Sequence, residues 1–119
     1  MKIGPRAIGC AMLLLIASEQ AGATAPASIQ LHEGKTVKYA CEGGRSLVVV
    51  YTAASNGQHF ASVPVKGETR WFVETFAGSG ARYQAGHYSW WEKGPTANLY
   101  DEMASTASPA VIANCRAAD

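Results

Sequence analysis

Beyond residue 35 the apolar positions come in short bursts, each closed by a turn residue. No stretch of about a dozen residues keeps a 3.6-residue apolar period, so the bursts predict strands rather than helices. Residues 36–41 are strand-like, and Glu42-Gly43-Gly44-Arg45 turns the chain. Residues 46–52 are the strongest strand, since Leu47, Val48, Val49, Val50 and Tyr51 are nearly all β-branched or aromatic. Asn56-Gly57 is a hairpin signal before a strand over 59–63. Residues 64–67, opened by Pro64, are expected to interrupt the chain. Residues 69–76 resume it, with Trp71, Val73 and Thr75 alternating against Phe72, Glu74 and Phe76. Gly78-Ser79-Gly80 marks a loop, Arg82-Tyr83 and 87–91 read as strand, and Gly94-Pro95 is a further break. Strands over 97–100 and 111–115 flank a small, polar surface loop at 102–109. Short strands repeated at this spacing predict an all-β antiparallel sandwich or barrel, and barrel closure removes the sheet edges that invite aggregation.

The first 23 residues have a different pattern. Lys2 and Arg6 precede an apolar run over 7–17 that is too short to span a bilayer, and Ala21-Gly22-Ala23 offers an Ala-x-Ala cleavage site. Residues 1–23 are therefore expected to be a signal peptide, 24–35 a flexible mature N-terminus, and 36–119 the folded domain. Export to the periplasm is expected, with no membrane span in the mature chain. Ala7-Ile8-Gly9-Cys10 loosely resembles a lipobox, but the run 12–16 follows Cys10 instead of preceding it, which disfavours a lipid anchor there.

Export changes the meaning of the cysteines. Removing Cys10 with the signal leaves Cys41 and Cys115, an even pair entering an oxidising compartment, which suggests a disulfide. It would close a long loop, worth about 4 kcal/mol in the chain-entropy model, a contribution that matters in a small domain with a modest core. Removing Lys2, Arg6 and Glu19 from the 10 basic and 9 acidic residues leaves eight of each. No basic cluster remains to neutralise phosphates, which argues against a nucleic-acid partner.

Catalytic signatures are sparse. His32, His59 and His87 lie far apart and fit no metal-ligand spacing, so no metal or other cofactor is expected. Gly78-Ser79-Gly80 is neither a Gly-x-Ser-x-Gly elbow nor placed at a strand-to-helix turn. No enzymatic activity is expected. What stands out is the density of unusual residues between Gly78 and Gly94: a glycine-hinged loop with Ser79, Arg82 and Tyr83, then Tyr88-Ser89-Trp90-Trp91-Glu92-Lys93-Gly94. In a regular strand Trp90 and Trp91 point to opposite faces, one into the core and one at least partly exposed.

These residues carry a resemblance. Ser79-Gly80-Ala81-Arg82-Tyr83 and Tyr88 through Lys93-Gly94 match the Ser-Gly-x-x-Tyr and Tyr-x-x-x-x-Lys-Gly motifs of the membrane-bound and periplasmic inhibitors of c-type lysozyme, the MliC/PliC family. Tyr39-x-Cys41, the Leu-Val-Val-Val-Tyr strand and the late Cys115 are also similar, so the resemblance spans roughly 36–116. It implies an eight-stranded antiparallel β-barrel whose motif loops press into the active-site cleft of a c-type lysozyme. A retaining glycosidase holds two carboxyl groups about 5 Å apart. A lysine ammonium on an apolar stem can reach such a hole, and a serine hydroxyl can donate to a carboxylate. The resemblance implies Lys93 and Ser79 as the plugs, with Gly80, Tyr83, Tyr88 and Gly94 at the other motif positions. Tyr83 and Tyr88 either brace the loops or touch the partner; Arg82 stands at a variable motif position, and its chemistry alone leads us to expect rim hydrogen bonds from it. An alternative is a module that binds peptidoglycan fragments or a small ligand directly, since aromatic faces suit both.

Overall fold

The computed structural model describes residues 28–105 and 109–118. The expected signal peptide, its cleavage site and Cys10 lie outside the described residues. Eight strands close a barrel in chain order: β1 (Lys35–Ala40), β2 (Ser46–Ala53), β3 (His59–Val65), β4 (Glu68–Thr75), β5 (Ala81–Ala85), β6 (Tyr88–Lys93), β7 (Thr96–Asp101) and β8 (Ile112–Ala117). Every neighbouring pair is antiparallel.

Alternation along the strands fills the interior. Val49, Val63, Val65, Phe72, Trp90 and Leu99 are fully buried, each worth about 1.5–3 kcal/mol relative to exposure. On β4 the inward residue is Phe72, whereas Trp71 faces out, 57% exposed, and stacks edge-on against Phe60. On β6 Trp90 enters the core and Trp91 faces outward, half-buried, as alternation requires.

One sequence expectation is corrected. Pro64 does not interrupt β3, which runs on to Val65 before turning at Lys66-Gly67. The β2 ladder ends at the Val50↔Ser62 pair, beyond which β3 pairs only with β4 and Pro64 faces Thr69. A residue without an N–H thus sits where one ladder has already stopped. Residues 30–32, within the segment expected to be flexible, are tied to the β2–β3 connection. The His32 N–H donates to the Ala53 carbonyl at 2.8 Å, the Ser55 N–H donates to the Gln30 carbonyl at 2.8 Å, and Leu31 bridges Ala54.

The seam that closes the barrel is short. β1 and β8 share only the pairs Tyr39↔Ala117 and Ala40↔Arg116, extended by the Ala118 N–H donating to Lys38. The Cys41–Cys115 disulfide links the same two ends across 74 residues of sequence. Where hydrogen bonding between strands is shortest, a covalent bond holds them.

Candidate functional site

The β4–β5 loop and the β6–β7 hairpin are brought to one edge of the barrel by β5–β6 pairing, which sets Ala81 opposite Glu92 and Arg82 opposite Trp91. Ser89, Trp91 and Lys93 lie two apart on β6 and therefore share its outer face. Trp91 is the hub. Its indole N–H donates to the Ser79 carbonyl at 2.9 Å. The Lys93 Nζ lies 4.0 Å from its ring centroid, and the Arg82 guanidinium carbon lies 5.6 Å from it. Gly80 presses the loop against β6 with φ +67°, and a Cβ there would overlap the Glu92 carbonyl oxygen and come within 3.3 Å of the Lys93 Cα. Gly94, at φ +59°, is the first central residue of the two-residue turn joining Lys93 to Thr96, and Pro95 is the second.

The two expected plugs, Ser79 and Lys93, are therefore adjacent and exposed. Among the described residues no carboxylate pairs with Lys93. Arg82 is engaged within the chain: its Nη2 lies 3.4 Å from Glu102 and 3.3 Å from the Ser89 hydroxyl. Tyr83 and Tyr88 are buried members of the core cluster. Of the two roles open to them, their packing favours bracing the loops.

Behind this edge lies a polar network inside the barrel mouth. The Glu92 carboxylate accepts from the Tyr51 hydroxyl and lies 3.1 Å from the Tyr39 hydroxyl, while the Trp90 indole N–H donates to Tyr51 at 2.8 Å. Burial first, and then the hydrogen bond to Glu92, hold the Tyr51 hydroxyl far above its usual range. Burial pushes Tyr39 up to about 12 against an opposing hydrogen bond from Tyr51. Burial, with the Glu92 charge nearby, does the same to Tyr83, also to about 12. Glu92 thus ties the root of the Lys93 hairpin to β1 and β2.

A histidine–aspartate pair is present on the β6–β7 side. His87 Nδ1 lies 2.7 Å from Asp101 Oδ1, and this contact, followed by the Met103 N–H, holds the Asp101 carboxyl below its ordinary range. The buried Ser89 hydroxyl donates to Glu102 at 2.5 Å and accepts from Arg82. Its single proton is thus directed at Glu102. Among the described residues no three His, Cys, Asp or Glu side chains converge to hold a metal.

Reading the sequence by itself does not give Trp91 its tethering role or Glu92 its anchoring one. The Trp91-x-Lys93 spacing places both on one strand face, which is a signal for the first. Glu92 has none, because its partners lie 41 and 53 residues away.

The chain and its barrel are similar to known proteins. Residues 39–108 match the family model described as membrane-bound lysozyme-inhibitor of c-type lysozyme. A Cupriavidus necator protein named membrane-bound lysozyme inhibitor of C-type lysozyme is 39% identical over 90 residues, covering 75% of this chain and 70% of the relative. A Pseudomonas aeruginosa protein of the same name is 41% identical over 69 residues, covering 57% and 54% respectively. Among solved structures, Pseudomonas aeruginosa MliC in complex with hen egg white lysozyme matches with TM-score 0.59 and 34% identity, over 79% of this chain and 90% of that one. PliC-St, the periplasmic lysozyme inhibitor of C-type lysozyme from Salmonella typhimurium, matches with TM-score 0.62 and 25% identity, over 73% and 100%. An eight-stranded barrel with paired motif loops, matched over most of its length by these proteins, belongs to the family of membrane-bound lysozyme inhibitors of c-type lysozyme.

Proposed function

We propose that this protein is an exported inhibitor of c-type lysozyme that protects the bacterial wall from the periplasmic side by occupying the enzyme's cleft, with no chemistry of its own. What supports this is the convergence of Ser79 and Lys93 on one exposed edge, with Lys93 free of any carboxylate among the described residues. Two close carboxyls in a glycosidase cleft form a negative, partly desolvated hole. An ammonium without a carboxylate of its own gives up no ion pair on entering it, and the Ser79 hydroxyl can donate to the same groups. Gly80 and Gly94 hold the backbone of both loops, and Tyr83 and Tyr88 support them from the core.

Titrating the purified protein into a c-type lysozyme lysing a peptidoglycan-walled indicator tests this directly. Stoichiometric inhibition is expected. Lys93→Ala should weaken it by about 2–5 kcal/mol, the cost of removing one side of a buried charge pair, and Ser79→Ala by about 1–2 kcal/mol. A Lys93→Ala variant that inhibits as well as the parent would refute the plug. A second reading, direct binding of peptidoglycan fragments, is supported by the exposed Trp71 stacked on Phe60 beside Leu31. It predicts glycan binding with no lysozyme present.

A further inference from the structure

Lys93 is an exposed side chain at the end of a strand, and such a lysine ordinarily samples many rotamers. Here its ammonium rests on the face of Trp91, 4.0 Å from the centroid, within the range of a cation–π contact. The other side of the hub is equally specific. The indole N–H is held by the Ser79 carbonyl, so the ring cannot turn without releasing the loop. Arg82 stands opposite Trp91 in the β5–β6 register and shares its ring at 5.6 Å. Two cations near one ring would repel each other, but Glu102, 3.4 Å from Arg82, offsets the second charge. Ser89, two residues before Trp91 on the same face, fixes this pair through its hydroxyl.

We propose that Trp91 is the positioning residue of this surface: its ring stores the Lys93 ammonium in one place while its N–H tethers the Ser79 loop, so both groups meet a partner already ordered. The partner is taken from the inhibitor reading above, whereas the positioning itself is a property of the free protein. The ring lies beneath the ammonium and leaves the outer N–H donors facing solvent, so a carboxylate can engage Lys93 without lifting it from Trp91. Ordering a flexible side chain on association ordinarily costs affinity, and a lysine already held avoids about a two- to tenfold loss.

The test has one readout without lysozyme and one with it. In the first, NMR of the purified oxidised protein follows the Lys93 ε-methylene protons, which the ring current of a stacked indole moves upfield. The shift should be present in the parent, reduced but visible in Trp91→Phe, and absent in Trp91→Leu. The dispersed indole resonance of buried Trp90 verifies that each variant keeps its barrel. In the second, Trp91→Leu should bind c-type lysozyme about two- to tenfold more weakly, and most of that loss should vanish in a Lys93→Ala background. Lys93 protons at the position of a free lysine in the parent, or losses from the two substitutions that simply add, would overturn the proposal. A parent that fails to bind lysozyme would overturn the inhibitor reading instead, and the Lys93 resonances would still decide whether Trp91 holds it.

Discussion

At the residue scale the two loop glycines differ in what surrounds them. Both have positive φ, but Gly94 faces open space, whereas a Cβ at Gly80 runs into the Glu92 carbonyl. Alanine at Gly94 therefore carries only the left-handed backbone cost of about 1–2 kcal/mol. Alanine at Gly80 carries that cost and must also lift the Ser79 loop off β6. We expect urea midpoints to fall further for Gly80→Ala than for Gly94→Ala, and equal shifts would mean that the loop leaves β6 at no cost. Both glycines stand out in the sequence through their motifs. The reason for Gly80 does not, because the carbonyl it avoids belongs to another strand.

At the element scale the closing seam is the weak ladder and the disulfide its reinforcement. Two register pairs join β1 to β8, against six joining β1 to β2. Replacing Cys41 and Cys115 together by serine should lower stability by about 4 kcal/mol in the chain-entropy view, seen as an earlier denaturant midpoint. An unchanged midpoint would show that the ladder closes the barrel unaided. The β2 strand and the hairpin at Asn56-Gly57 were legible because their signals are local. Pro64 was misleading because proline speaks only for its own N–H, and only the register shows that β2 no longer needs it. The alternation over β4 was equally plain, yet it could not tell that Phe72 turns inward and Trp71 outward.

At the scale of the whole molecule, the barrel interior holds tyrosines whose ionisation would place charge beside Glu92. Tyr39 and Tyr83 are raised to about 12, and Tyr51 is raised further, whereas an unfolded tyrosine titrates near 10. Between those values the unfolded chain has lost protons that the native state still holds, so stability falls as pH rises. This contribution is fully present below pH of about 10 and is lost as the pH climbs toward 12. Thermal melts should hold steady from neutrality to about pH 9 and drop steeply above 10, with the Tyr39, Tyr51 and Tyr83 rings ionising only as the barrel unfolds. Ring resonances assigned to Tyr39, Tyr51 or Tyr83 that titrate near pH 10 with the barrel intact would contradict it. The candidate site was legible in the sequence only as two motifs. Their meeting at Trp91 depends on pairing between β5 and β6 and on a network that reaches back to β1, so it emerges only in three dimensions.

The seam between β1 and β8 also sets an order of events in the life of the chain. The strand that completes the ring is the last one made, and it carries Cys115. Cys41 must therefore wait for nearly the whole polypeptide before an external oxidant can join it to its proper mate. A chain interrupted before Cys115 keeps a bare thiol on Cys41 and an open edge on β1. Both features disappear together when β8 pairs with β1 and the disulfide forms.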